Sequence, residues 1–352
     1  MKKRLICVVL ALACLLSLAA CSNNGASNTK PNEETRTVVD MAGRTVTVPA
    51  KVDSYIDIWY SHQALIAMLD QCESMTATSY TRDNSFNAWF FELYPDVPSE
   101  DIEHMNAEQI AEAGIDVVFM QYSQYQDLAA QLDQLGIAAI AVDFDSYESL
   151  KQCVTMCADV LNTDYARAMA KKFNEQLDAV TADVGAKVAS IPQEDRVRVL
   201  NLRNFETLRA DGANTVADAW ITACGGVNVL SELNLEGNQY LNEEQIFEWN
   251  PDIVFSSNVG DAAFALGNEK YKDLTCVKNG NVYDNPSGIF YWNRYSSEYL
   301  LQLHWASKIF YPELFADVDM VKIVRDYYKD FYNHEFTDAE IELILKGMPP
   351  AK

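Results

Sequence analysis

Residues 155–190 read TMCADVLNTDYARAMAKKFNEQLDAVTADVGAKVAS. Apolar residues recur at Leu161, Tyr165, Met169, Phe173, Leu177, Val180, Val184 and Val188, and these steps of four and three fall on one stripe of a 3.6-residue helix. Asp164, Arg167, Lys171, Lys172, Glu175, Asp178 and Asp183 lie between them and give a solvated face. Asn162-Thr163-Asp164 offers a cap or a break, so the stretch is one long helix or a short one followed by a long one, and Pro192 ends it. Taken alone, such a helix means only core packing.

The flanking sequence gives it a larger meaning, because the chain repeats itself on either side. Residues 106–120 read NAEQIAEAGIDVVFM and residues 242–256 read NEEQIFEWNPDIVFS. Aligned without gaps, Asn106/Asn242, Glu108/Glu244, Gln109/Gln245, Ile110/Ile246, Glu112/Glu248, Asp116/Asp252, Val118/Val254 and Phe119/Phe255 are identical. Each copy reads as a short amphipathic helix, a turn and a β-branched run suited to a buried parallel strand. Two related units on either side of one stiff helix predict an α/β protein of two lobes, with a cleft between them.

The chain opens with Lys2, Lys3 and Arg4, then an apolar run from Leu5 to Leu18 that is short for a membrane span. Leu18-Ala19-Ala20-Cys21 resembles the lipobox of bacterial lipoproteins, which implies that Cys21 becomes an acylated N-terminus on the extracytoplasmic face of the membrane. Residues 22–35 are polar and without apolar period, a flexible tether. The organisation expected is therefore a leader at 1–21, a tether at 22–35, a first lobe at 36–154, a connecting helix at 155–191 and a second lobe at 192–352.

The formal net charge of −24 makes nucleic acid an improbable partner. Past the leader and Cys21 there remain Cys72, Cys153, Cys157, Cys224 and Cys276, an odd number, so at least one is unpaired or pairs between molecules. Cys153 and Cys157 share a helix face, and burial as small apolar residues is favoured there over metal ligation, which would need further ligands. Strand and helix alternate from Tyr55 to Phe144 and resume at Arg196, which argues for parallel sheets. The leader, the opening DMAGRTVTVP at 40–49, the long connector and the twin N-x-E-x-I…D-x-V stretches together resemble the substrate-binding lipoproteins of iron-complex and cobalamin ABC importers. The resemblance runs from about Thr37 to the C-terminus, and order and spacing carry it more than any one motif.

That resemblance implies a ligand held between the lobes with little lobe motion, and a permease dimer as partner. It implies an iron complex of siderophore type as cargo, with haem, a corrinoid or an oxyanion such as molybdate next. A lipoprotein sensor or adhesion module on the same fold is the competing class. It also implies docking through one glutamate per lobe, carried onto Glu108 and Glu244, and a ligand-facing tyrosine after the second strand, carried onto Tyr80. No catalytic motif accompanies it: G-x-G-x-x-G, G-x-S-x-G and H-E-x-x-H are all missing, so an enzyme, a catalytic metal and a resident cofactor are not expected.

Ligands of α/β sheets meet residues just past the strand C-termini. That rule selects Tyr60, His62, Tyr80, Arg82 and Tyr122 in the first lobe, and Arg203, Asn258, Tyr291, Trp292 and Arg294 in the second. Aromatic faces cover a wide chelate and arginines pair with its carboxylates or catecholate oxygens. Tyr80 and Trp292 are the strongest individual candidates. Packing or capping is favoured for His62; if it ligates a metal in the cleft, Tyr60 or Tyr80 would be the second ligand.

Overall fold

The computed structural model describes residues 34–351; Cys21, the leader and nearly all of the tether lie outside the described residues. A hairpin leads, β1 (Thr35–Val39) against β2 (Thr45–Pro49). Asp40 fixes its turn: Oδ1 accepts from the amides of Ala42 and Arg44, Oδ2 accepts from the Arg44 guanidinium, and Gly43 takes a φ of +75°. The same Oδ2 accepts the amide of Ala141 at 3.1 Å, so one carboxylate also ties the hairpin to the first sheet.

That sheet is fully parallel, in the order β4 (Met75–Ala77), β3 (Tyr55–Asp57), β5 (Val117–Met120), β6 (Ala138–Ala141). Strands β3, β5 and β6 are buried on both faces, as the unbroken apolar runs of β5 and β6 require, while the edge strand β4 exposes Thr76. The second sheet is parallel only in part. β7 (Arg198–Leu202) lies parallel to β9 (Val227–Asn228) and to β11 (Ile253–Ser256), and β11 to β12 (Val282–Asp284). β8 (Arg209–Asp211) and β10 (Asn238–Tyr240) add an antiparallel edge that the alternation of elements did not foretell. Both are three-residue strands with no apolar pattern to read.

The repeat is structural. Asn106 and Asn242 each cap a helix, Ala107–Glu112 and Glu243–Trp249, and Gln109 and Gln245 close a reciprocal capping box on them. Ile110 and Ile246 are buried inward. Asp116 and Asp252, just before β5 and β11, both reach sideways to the neighbouring parallel strand. Asp116 accepts the amides of Asp53 and Ser54 ahead of β3, and Asp252 accepts the amide of Arg198 at the start of β7. Three of the eight shared identities thus close a helix start or align a strand, and a fourth, the isoleucine, fills the core.

The connector is the two-helix alternative. A helix over Tyr147–Leu161 stops at Asn162, in the left-handed region at φ +58°, and Thr163 caps a second helix over Asp164–Val188 by accepting the amide of Ala166. The break resets the helical phase. The buried face of the second helix therefore begins with Ala166 and Ala170 and joins the expected stripe only at Phe173, while Tyr165 is 37% exposed. This helix packs against Gln63–Asp70 and Tyr147–Leu161 on one side and against Val216–Ala223 and Tyr299–Phe310 on the other, and one continuous apolar core runs through both lobes along it. Each sheet has a separate outer core. The last helices, Met320–Tyr332 and Asp338–Leu345, were placed with the second lobe by sequence but straddle both. Tyr332 Oη donates to the carbonyl of Ala64, Gln71 to that of Phe331 and Trp89 Nε1 to that of Met348, at 2.8–2.9 Å.

Candidate functional site

The strand ends of the two sheets face each other across an aromatic seam. Trp59 and Tyr60 follow β3, Phe144 follows β6, and Phe86 comes from the irregular stretch after β4; opposite stand Phe290, Tyr291 and Tyr295 after β12. Phe86 stacks on Tyr291 at 3.9 Å between centroids, Tyr60 meets Phe290 edge-on at 6.0 Å, and Trp59 and Phe144 both pack on Tyr295. The lobes touch through rings.

The second-lobe side of this seam is built on a buried carboxylate. Glu298 accepts the amides of Ile289 (3.1 Å) and Phe290 (2.7 Å) and the hydroxyl of Tyr328, which folds residues 287–294 back over the sheet. Burial drives Glu298 up to about 7, although those three donors and Trp292 pull it the other way. Gly288 is obligatory here, because a Cβ would overlap the Tyr328 hydroxyl and Glu298 Oε1. Asn293 is fully buried and spans the strand ends: Nδ2 donates to Asn201 Oδ1 of β7 (2.8 Å) and to Ser257 Oγ after β11 (3.1 Å). Asn201 in turn donates to Asp211 of β8 at 2.9 Å.

This scaffold holds Arg294 in place without giving it an anion. Its Nε is buried without a partner, no carboxylate reaches it among the described residues, and its guanidinium lies 5.7 Å and 5.5 Å from the ring centres of Phe290 and Tyr291. Burial and then the charge of Arg203 bring it down to about 10, against the pull of Asp211 and Tyr291, and Arg209 adds to the repulsion. Arg203 is held by Asp211 at 2.9 Å and by Asn238. Three arginines and one carboxylate leave a local positive excess in a strongly acidic chain. On the facing wall the Tyr60 hydroxyl, pushed up by burial, exchanges hydrogen bonds with Asn87 at 2.7–2.8 Å.

Of the residues selected from sequence, Tyr60, Tyr291, Arg203 and Arg294 therefore meet. The others do not join them. Tyr80 and Trp292 are fully buried; Tyr80 packs on Phe90 and donates to the carbonyl of Tyr60, so it supports the wall rather than forming it. Arg82 donates to the carbonyls of Pro95 and Val97 and stacks on Phe91. Tyr122 lies under the Arg44 guanidinium, and Asn258 donates to Asp261. His62 points into the first lobe, away from Tyr60 and Tyr80: Nδ1 is 2.6 Å from Asp57 Oδ2, and it makes no side-chain cap on its helix. Burial alone would lower His62, but Asp57 outweighs it and raises His62 to about 10. All five described cysteines are free thiols. Glu108 and Glu244 are exposed in the first turns of equivalent helices, as the repeat predicts. Asn87, Asn201, Asp211 and Glu298 escaped the sequence reading, since each acts through partners eight or more residues away that no local pattern links, while Asn293 lies within the aromatic stretch after β12 that the strand-end rule selects.

The chain is similar to the molybdate-binding protein MolA of Haemophilus influenzae, with 21% identity over 331 residues, 86% of this chain and 92% of that protein. The solved structure of MolA bound to molybdate superposes with a TM-score of 0.76 at 19% identity, covering 86% of this chain and 99% of that one. A periplasmic solute binding protein from Veillonella parvula gives a TM-score of 0.76 at 23% identity, covering 89% and 97%. These likenesses show the two-lobed α/β fold. The family model described as periplasmic binding protein matches residues 71–288, from the end of the helix after β3 to the start of the cleft loop, and the chain belongs to that family.

Proposed function

We propose that this chain is the solute receptor of an ABC importer and that its cargo is an anion bound by Arg294 between the lobes. The observation that carries the reading is the Arg294 side chain, half-buried among rings, with Nε buried and unpartnered and no carboxylate bonded to it among the described residues. A charge half-withdrawn from water with no counter-charge bonded to it is costly, and an anionic ligand supplies the missing partner. A compact oxyanion of the molybdate kind is the first choice, because Phe86 on Tyr291 at 3.9 Å leaves no slot between those rings; the bound molybdate of MolA on a similar fold agrees with it. The second reading is the anionic ferric chelate expected from sequence, favoured by the aromatic walls, and it requires Phe86 and Tyr291 to part. Haem or a corrinoid would need the same opening.

The test is calorimetric titration and thermal shift of the leaderless protein with molybdate, tungstate, sulfate and ferric siderophores. Ligand at a hundred times its dissociation constant stabilises by about 2.7 kcal/mol. Arg294→Gln should weaken anion binding about 10–100-fold, the worth of a hydrogen bond to a charged group. A neutral sugar or peptide that binds while every anion fails would overturn the reading. Delivery to a permease is proposed to run through Glu108 and Glu244, and anchoring through Cys21.

A further inference from the structure

Behind the cleft wall, in the core of the first lobe, lies a cluster that anion binding does not use. Cys153 and Cys157 stand one turn apart on the helix Tyr147–Leu161, so their sulfurs share a face. His62, at the head of the helix Gln63–Asp70, turns Nε2 towards both, 3.7 Å from Cys153 Sγ and 3.5 Å from Cys157 Sγ. The three candidate ligand atoms lie within 4.8 Å of one another, and all three residues are fully buried. Asp57 Oδ2 sits 2.6 Å from Nδ1 and is itself fixed by accepting the amide of Trp59 on its other oxygen.

We propose that His62, Cys153 and Cys157 form a binding site for a thiophilic d10 cation, zinc(II) or copper(I), oriented by Asp57. Metal–sulfur bonds of about 2.3 Å and a metal–nitrogen bond of about 2.0–2.1 Å, at angles between roughly 109° and 120°, place the nitrogen about 3.5–3.8 Å from each sulfur. The two observed separations match that requirement. Two thiolates and an imidazole are the donor set that selects soft or borderline ions over calcium or magnesium. The Asp57 carboxylate on Nδ1 is the outer partner that metal-bound histidines generally keep, and it aims Nε2 at the sulfurs. Binding displaces the protons held among Nε2 and the two sulfurs and releases them to solvent, so affinity rises with pH. The site would rivet the segment that carries Trp59 and Tyr60 into the cleft to the helix that leads into the connector. Trp59 stacks on His62 at 5.8 Å while its ring also meets Tyr295 of the other lobe, so the rivet lies one ring away from the seam.

The experiment uses the reduced leaderless protein under anaerobic conditions. It is titrated with zinc(II), with copper(I), and with cobalt(II) as a spectroscopic probe, each against a competing chelator. The expected result is one equivalent per chain for zinc or copper, thiolate-to-cobalt charge-transfer absorption, and retention of both in a Cys72→Ala/Cys224→Ala/Cys276→Ala background. Cys153→Ala/Cys157→Ala should abolish them, with near-ultraviolet circular dichroism checking that the variant is folded. Asp57→Asn keeps all three ligands and should weaken binding about 10–100-fold. Failure of the wild-type protein to hold any of these ions against a weak chelator would overturn the proposal. Metal binding that survives loss of both cysteines would overturn it equally. Neither outcome bears on the anion site, since Arg294→Gln is expected to leave the metal stoichiometry unchanged.

Discussion

Glu298 should make the protein lose stability as the pH passes through neutrality, and Glu298→Gln should remove that dependence. Burial raises the carboxyl from 4.5 to about 7, outweighing the amides and the phenol that stabilise its anion. The folded protein therefore keeps a proton that the unfolded chain releases between those two values. Stability from this group is fully present below pH 4.5 and is lost as the pH rises through 7. At about 1.4 kcal/mol for each tenfold change in proton affinity, the full effect is ~3 kcal/mol, of which ~2.5 kcal/mol falls between pH 5 and pH 8. Glutamine retains one carbonyl oxygen for the loop amides and does not titrate. Urea unfolding of both proteins, followed by tryptophan fluorescence at intervals from pH 5 to pH 8, isolates the residue, because every other titration is common to the pair. The wild-type advantage should shrink by about 2.5 kcal/mol across that range. Parallel curves would show that the carboxyl is not the buried acid described above.

Gly288→Ala should lower stability by about 1–3 kcal/mol and weaken the cleft ligand as well, since the added methyl must displace Tyr328 or Glu298; denaturant unfolding and ligand titration read both. Gly185→Ala, with open space around the new methyl in mid-helix, should instead raise stability by about 0.5–1 kcal/mol, and a decrease would mean that the connecting helix is not regular there. Glu108→Arg combined with Glu244→Arg should abolish uptake in cells while ligand affinity in solution is unchanged; normal transport, or a parallel loss of affinity, would end the docking assignment. Cys21→Ser should leave the protein unprocessed or free of the membrane fraction, and retention after normal cleavage would refute acylation.

The fold was legible because it rests on local chemistry. Asn106 and Gln109, like Asn242 and Gln245, are three residues apart and bond to each other, so their identity across the repeat is visible in the chain. The two-helix connector was likewise foreshadowed at Asn162-Thr163-Asp164. The site was legible only as a set of strand ends. Sequence can place Tyr80 after a strand, but not show that its ring turns inward to Phe90 instead of outward. Trp292 misled for the same reason: in a loop of consecutive aromatics, Glu298 bonding to the amides decides which rings face out. The cysteine pair was readable as one helix face, yet its partner His62 lies some ninety residues upstream and only the packing of two helices reveals it.

The return of the C-terminal helices to the first lobe has a consequence for the order in which the molecule can be made. Tyr332 bonds to Ala64, Phe331 to Gln71, and Trp89 to Met348 across about 260 residues of chain, and the rings of Trp89 and Phe336 pack at 5.0 Å. The half of the protein synthesised first is thus finished by the residues synthesised last. Contacts so distant in sequence cannot form until both ends are present, so this part of the first lobe stays uncovered until the end of the chain arrives.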